Sequence, residues 1–210
     1  MAETTTVHLL RHGEVHNPNG VLYGRLPGYH LSATGRAMAD AAADFFAERI
    51  VATVYASPLT RAQETAQPVA GRHGLPIVTD EGLIESGNVL EGTAVSLKRL
   101  ARNPANWRYL WNPVTPSWGE PYTEVVARMW AVVKRGRDEN RGQEAVCVSH
   151  QLPIWVTRLH AEHRRLWHNP KSRECALGSV TSFSFSGDEL TSVSYAVPAR
   201  RPVREEDAAQ

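Results

Sequence analysis

The chain has 210 residues, 42% of them hydrophobic, a formal net charge of +1 and two cysteines, Cys147 and Cys175. That length and apolar share suit one domain with a substantial core, and the near-neutral balance gives no electrostatic reason to expect a nucleic-acid or membrane partner. Two cysteines, one within an apolar run, make no disulfide framework; with no bilayer-length apolar stretch and no basic-then-apolar leader, a cytoplasmic location is expected.

The first element, Thr4 to Leu10, is β-branched and apolar. It reads as a buried strand that ends on Arg11-His12-Gly13-Glu14. In an open α/β sheet the carboxyl ends of strands face the ligand crevice, so the main chain would deliver Arg11 and His12 there. Gly13 then permits a sharp turn or a close backbone approach. Asn17-Pro18-Asn19-Gly20 and Gly24 to Gly28 mark a loop dense in turn residues beside them. Tyr23, Arg25 and His30 in and after that loop are candidates for touching a ligand, against the alternative that they are simply solvated. Ser32 opens an alanine-rich packing helix ending near Arg49.

A second strand, Val51 to Ala56, passes into a helix with Ser57 as expected N-cap and Pro58 in the first helical position, which places Arg61 about one turn in. Gly71 to Pro76 ends that helix, and Ile77 to Asp80 reads as a short strand. The following segment carries three carboxyls, Glu81, Glu85 and Glu91. Residues 93–118 read as a helical, lid-like insertion with Trp107, Tyr109, Trp111 and Trp118. Those aromatics either line a cavity or fill a satellite core.

Gly119-Glu120-Pro121 opens a helix with Val125, Val126, Met129, Val132 and Val133 at helical spacing. A third strand from Ala145 ends on Ser149-His150-Gln151, and a helix from about Pro153 carries Arg158, His160, His163, Arg164, Arg165 and His168. Three of those histidines make a poor metal set without a carboxylate or thiolate pattern, and no metal or other cofactor is expected. The basic helix end either complements its own dipole or recognises a second anionic group. Alternation from Cys175 to Phe185, a Gly187-Asp188 turn and Leu190 to Val197 predict a terminal hairpin at the sheet edge, and the polar tail 199–210 reads as disordered.

Three strand ends thus present Arg11 and His12, Arg61, and His150. Two guanidinium groups and two imidazoles at helix N-termini suit a dianion, and a neutral imidazole among them can attack phosphorus. These stretches resemble the histidine phosphatase, or phosphoglycerate mutase-like, superfamily. Leu10 to Glu14 resembles its nucleophile motif, Asn17 its phosphate-side asparagine, and Leu31-Ser32-Ala33-Thr34-Gly35 its helix start. Ser57 to Ala62 resembles its second-arginine motif, Val148-Ser149-His150 its second-histidine motif, and Gly119-Glu120-Pro121 its Gly-Glu-Ser, with Pro for Ser.

The resemblance implies a single-domain α/β/α sandwich over residues 1–198 with a mostly parallel central sheet. It implies His12 as nucleophile, Arg11, Arg61 and His150 as phosphate ligands, and Glu85 as proton donor. Glu85 lies one residue nearer Gly92 than the family spacing, and Leu90 stands where the family has Trp, so Glu81 and Glu91 remain alternatives. Asn17, Tyr23, Gly24 and Gln151 join Arg11, Arg61 and His150 as expected substrate contacts. The implied activity is metal-independent hydrolysis of a small phosphorylated metabolite through a phosphohistidine, with a homodimer admitted. The basic insert motifs of the family's mutases are absent, which favours hydrolysis over a mutase. A non-catalytic phospho-ligand binder is the remaining alternative.

Overall fold

The computed structural model describes residues 3–88, 91–92 and 119–198. The insertion expected at 93–118 and the tail at 199–210 lie outside the described residues, as does Leu90. The elements in chain order are β1 (Thr4–Arg11), α1 (Ala33–Phe46), β2 (Val51–Ala56), α2 (Thr60–His73) and β3 (Ile77–Thr79), then α3 (Tyr122–Glu139), β4 (Glu144–Ser149), α4 (Gln151–Ala161), β5 (Val180–Ser186) and β6 (Glu189–Ala196). Six strands form one sheet in the order β3-β2-β4-β1-β5-β6. Strands β3, β2, β4 and β1 run parallel, and the β5-β6 hairpin adds antiparallel to β1. This is the α/β fold with a mostly parallel sheet that the sequence implies.

Parallel strands are covered on both faces, so their sequences are largely apolar, and a buried polar residue such as His8 must find partners, here Ser182 and Glu144. Val7, Leu9 and Leu10 of β1 and Ala145 to Val148 of β4 accordingly have no exposed surface. Alternation sorts them into two cores. Leu10, Val146 and Val148 pack with Ala42, Phe46, Ala62 and Val69 of α1 and α2. Val7, Leu9, Ala145 and Cys147 pack with Val125, Met129, Val133 and Ile154 of α3 and α4. Among the described residues no helix is long and apolar enough to cross a membrane.

Register positions the site. Leu10 pairs with Val148 and Arg11 with Ser149, so β1 and β4 end side by side. Ala56 of β2 pairs with Val148 on the other flank of β4. Three chain exits meet there, tied by His12 N–H to the Ser149 carbonyl at 3.1 Å and Ser57 N–H to the Val148 carbonyl at 3.0 Å.

Several element boundaries differ from the sequence expectation. Helix α1 ends at Phe46 rather than near Arg49. Helix α2 starts at Thr60 with Leu59 in the cap position and no side-chain cap, so Ser57 caps nothing and Arg61 sits in the first turn. Helix α4 begins at Gln151 and ends at Ala161, and His163 lies beyond it with φ +54°. The last hairpin starts at Val180 rather than Cys175.

The turn after β1 is held by a backbone-to-backbone approach. A Cβ on Gly13 would stand 2.4 Å from the Gly35 carbonyl oxygen, and one on Gly35 would stand 2.0 Å from that of Glu14. Ser32 caps α1 by accepting from Gly35 N–H at 3.0 Å, and its hydroxyl donates to the Glu14 carboxylate at 2.6 Å. The first turn of α1 is thereby pressed onto the loop that carries His12. Gly71 in α2, by contrast, has nothing within 4 Å of its added Cβ. Gly71→Ala should therefore raise stability by about 0.5–1 kcal/mol, the ordinary helix gain. Gly35→Ala, also in a helix, should instead lower it by about 1–3 kcal/mol, since backbone cannot yield as a side chain can. Urea denaturation of the two variants beside wild type separates the two signs.

Candidate active site

His12 follows β1 directly and is 2% exposed. Its Nδ1 lies 2.8 Å from the Gly13 carbonyl oxygen. A carbonyl only accepts, so the proton is on Nδ1 and the Nε2 lone pair is free. Gly13 N–H donates to Thr65 Oγ1 at 3.1 Å, and that hydroxyl donates to the Arg61 carbonyl at 2.7 Å. The loop that carries His12 and the first turns of α2 are thus one hydrogen-bonded unit.

The His150 ring centroid lies 5.1 Å from that of His12, at the N-terminal end of α4. Its Nε2 shares a 2.8 Å hydrogen bond with Ser57 Oγ, while its Nδ1 is buried without a partner. Among the described residues, His150 Nε2 is the one acceptor in reach of the Ser57 hydroxyl; donation there leaves Nδ1–H as an unspent donor. This is what Ser57 does in place of capping α2.

Arg11 donates from Nη1 to the Cys175 carbonyl at 2.6 Å. Arg61, 1% exposed, donates from Nη2 to the Gly24 carbonyl at 2.6 Å and lies over the Tyr23 ring at 4.7 Å. The Nε of each arginine is buried without a partner. Gly24 has φ +39°, and a Cβ on it would run into the Glu91 carboxylate, so glycine is required where the loop passes beneath that side chain.

These groups border a cavity of about 310 Å³ whose walls include Arg11, His12, Tyr23, Gly24, Glu85 and Gln151. Arg61 and His150 lie fully buried beside His12 rather than on the cavity wall. Asn17 is not on the wall: its amide donates to the Val21 carbonyl at 2.8 Å and accepts from Val21 N–H at 3.0 Å, shaping the loop instead. Arg25 and His30 are likewise off the wall; His30 is 2.5 Å from the Glu64 carboxylate. Of the three candidate carboxyls, Glu85 alone lines the cavity. Glu81 is exposed, and Glu91 Oε1 accepts from Asn88 N–H at 3.1 Å.

Glu85 is held through its backbone. Arg25 Nε–H donates to its carbonyl at 2.6 Å, and Arg128 grips the carbonyls of Gly82 and Ile84 at 2.7 Å each. Glu120 in turn anchors both arginines, at 2.8 Å to Arg25 and 2.8 and 3.0 Å to Arg128. Sequence reasoning missed Tyr122 and Arg173, which also line the cavity. Three of the basic residues it pointed to are engaged elsewhere. Arg158 pairs with Glu162 and Glu174, Arg164 with Glu162, and His160 packs edge-on against Trp130 at 5.3 Å.

Electrostatics follow from this burial. Desolvation, then Arg61 and Arg11, push the His12 pKa down from 6.5 to about 3. Desolvation, then His12 and the arginines, hold His150 well below its ordinary value. Both imidazoles are neutral. Burial pushes the Glu85 carboxyl up, against the Ser86 N–H hydrogen bond and the pull of Arg61, Arg11 and Arg173.

The chain belongs to the histidine phosphatase superfamily, branch 1, whose profile it matches over residues 7–198. It is 56% identical over 200 residues to the uncharacterized protein Rv0525 of Mycobacterium tuberculosis, covering 95% of this chain and 99% of that one. Among solved structures, Bacillus stearothermophilus YhfR is similar with a TM-score of 0.77 and 26% identity, over 89% of this chain and 94% of that one. The mycobacterial glucosyl-3-phosphoglycerate phosphatase Rv2419c shares the fold with a TM-score of 0.74 at 24% identity, over 92% and 98% of the two chains.

The depressed His12 pKa has a sign for stability. Between pH 6.5 and about 3 the unfolded chain binds a proton on this histidine that the folded chain refuses, so its contribution favours folding less as pH falls through that window. His12→Asn, which titrates nothing there, should lose less stability on acidification than wild type. Denaturation midpoints of the two proteins across that pH range check it, with Glu85 common to both.

Proposed function

We propose that the protein is a metal-independent phosphatase that hydrolyses a small phosphomonoester through phospho-His12. The observation that carries this reading is the neutral His12 with a free Nε2, set among three buried nitrogens without partners, on Arg11, Arg61 and His150. Three unspent donors around a lone pair suit the oxygens of a phosphoryl group, and the guanidinium charges do what a metal does elsewhere. That Rv2419c is a glucosyl-3-phosphoglycerate phosphatase supports a small phosphorylated metabolite as substrate.

In the first step the His12 Nε2 lone pair forms a bond to phosphorus as the ester P–O bond breaks. Glu85, protonated, gives its proton to the departing alkoxide. In the second step water attacks phosphorus, its proton goes to the Glu85 carboxylate, and the P–N bond breaks to return His12 and release inorganic phosphate. The raised Glu85 pKa suits the acid role, and the low His12 pKa keeps the nucleophile unprotonated in acid solution.

The test is phosphate release from phosphomonoesters in EDTA. Wild type should turn over, and His12→Ala should lose all of it. Glu85→Gln should fall about 10²–10⁴-fold on alkyl esters, the usual worth of a general acid, and far less on p-nitrophenyl phosphate, whose leaving group needs no proton. Brief incubation with radiolabelled substrate should leave acid-labile, base-stable label on wild type and none on His12→Ala. Turnover that survives His12→Ala sinks the covalent mechanism. Phosphate return to a phosphoglycerate under a bisphosphate primer, without hydrolysis, would make the protein a mutase.

A further inference from the structure

Beyond the phosphoryl end, the cavity wall carries one more guanidinium, that of Arg173. Its Nε–H donates to His168 Nε2 at 2.8 Å. An imidazole nitrogen accepts only when unprotonated, and Nδ1 of the same ring lies 2.6 Å from the Leu166 carbonyl oxygen, where it must donate. His168 is therefore neutral and its tautomer is fixed. The ring stacks on Tyr122 at 5.6 Å and meets Trp155 edge-on at 6.0 Å.

A cation is thus fixed in orientation by an uncharged partner, with Glu85 acting on it only at longer range. Arg25, Arg128, Arg158 and Arg164 all sit in ion pairs; Arg173, among the described residues, has no carboxylate within 4 Å. A positioned guanidinium on a cavity wall without a protein anion takes its anion from the ligand. With Nε committed to His168, its terminal nitrogens remain, and a single planar fork matches a planar carboxylate. The phosphoryl end, by comparison, gathers two guanidinium groups and His150.

We propose that Arg173, oriented by His168, determines specificity by binding a carboxylate on the substrate, so that small phosphorylated carboxylic acids are preferred. This rests on the phosphatase reading for which end of the ligand reacts. Binding and turnover separate the two claims.

The experiment pairs each carboxylate ester with a counterpart lacking the carboxylate: 2-phosphoglycolate with ethyl phosphate, and 3-phosphoglycerate with glycerol 3-phosphate. Propane-1,3-diol bisphosphate is the arm for a second phosphate. Calorimetric binding to His12→Ala, which cannot turn the esters over, should favour the carboxylate by about 10–100-fold, the worth of one charged hydrogen-bonded pair. Arg173→Gln on that background should erase the preference. In otherwise wild-type protein, Arg173→Gln should raise KM for carboxylate esters about 10–100-fold more than for their neutral counterparts, over and above any change common to both ester types. His168→Ala should shift KM in the same direction by less, as befits a positioning residue.

Equal loss on both ester types would overturn the proposal and assign Arg173 to Glu85. So would no carboxylate preference in wild type, or tighter binding of the bisphosphate. Carboxylate-dependent binding without any hydrolysis would refute the phosphatase reading and leave this one standing.

Discussion

The arrangement depends on positive charge buried without an ion pair. Arg61 is sealed from solvent, and neither it nor Arg11 has a carboxylate within 4 Å among the described residues. Removing a guanidinium from water costs several kcal/mol unless an anion or good acceptors replace the lost hydration. Here the replacements are partial: one carbonyl for each group and, for Arg61, the face of Tyr23. The core must hold these side chains where electrostatics alone would expel them. The two packed faces of β1, β2 and β4 provide the rigidity that does so. Burial first, and this charge after it, keeps both imidazoles neutral.

Much of this was legible in the sequence, for identifiable reasons. Strands covered on both faces are largely apolar, so β1 and β4 stand out, and so does the abrupt charge at their ends. Sequence singles out Arg11, His12, Arg61 and His150 because each lies within a few residues of such an end. Ser57 was misread because Ser-Pro ahead of a helix has the local look of a cap, while the hydroxyl is taken by a histidine 93 positions on. Asn17 has a similar lesson. One of its N–H donors and one of its oxygen lone pairs go to Val21, which shapes the loop. Glu85 was separable from Glu81 and Glu91 only in three dimensions, by which carboxyl the Arg25, Arg128 and Glu120 scaffold turns toward the cavity.

Tyr122 and Arg173 had no local signal at all. They meet because α3 and the stretch after α4 close on the same cavity, a fact of topology rather than of spacing. In the basic cluster from Arg158 to His168, two arginines, Arg158 and Arg164, are paired with glutamates. Number of charges was a poor guide there. What distinguishes Arg173 is the neutrality of its neighbours, and His168 matters as an acceptor rather than as a cation.

The two sulfur atoms have a consequence for oxidative chemistry. Cys147 is sealed in the sheet and Cys175 lies beneath Arg11, and burial pushes their thiols up to about 12 and about 11. Peroxides attack thiolates, and at these values almost none exists near neutrality. A pocket built on imidazole nitrogen and guanidinium, with both thiols inert, offers an oxidant no foothold. Such a protein should keep its ligand chemistry under oxidant levels that silence proteins built around a reactive cysteine.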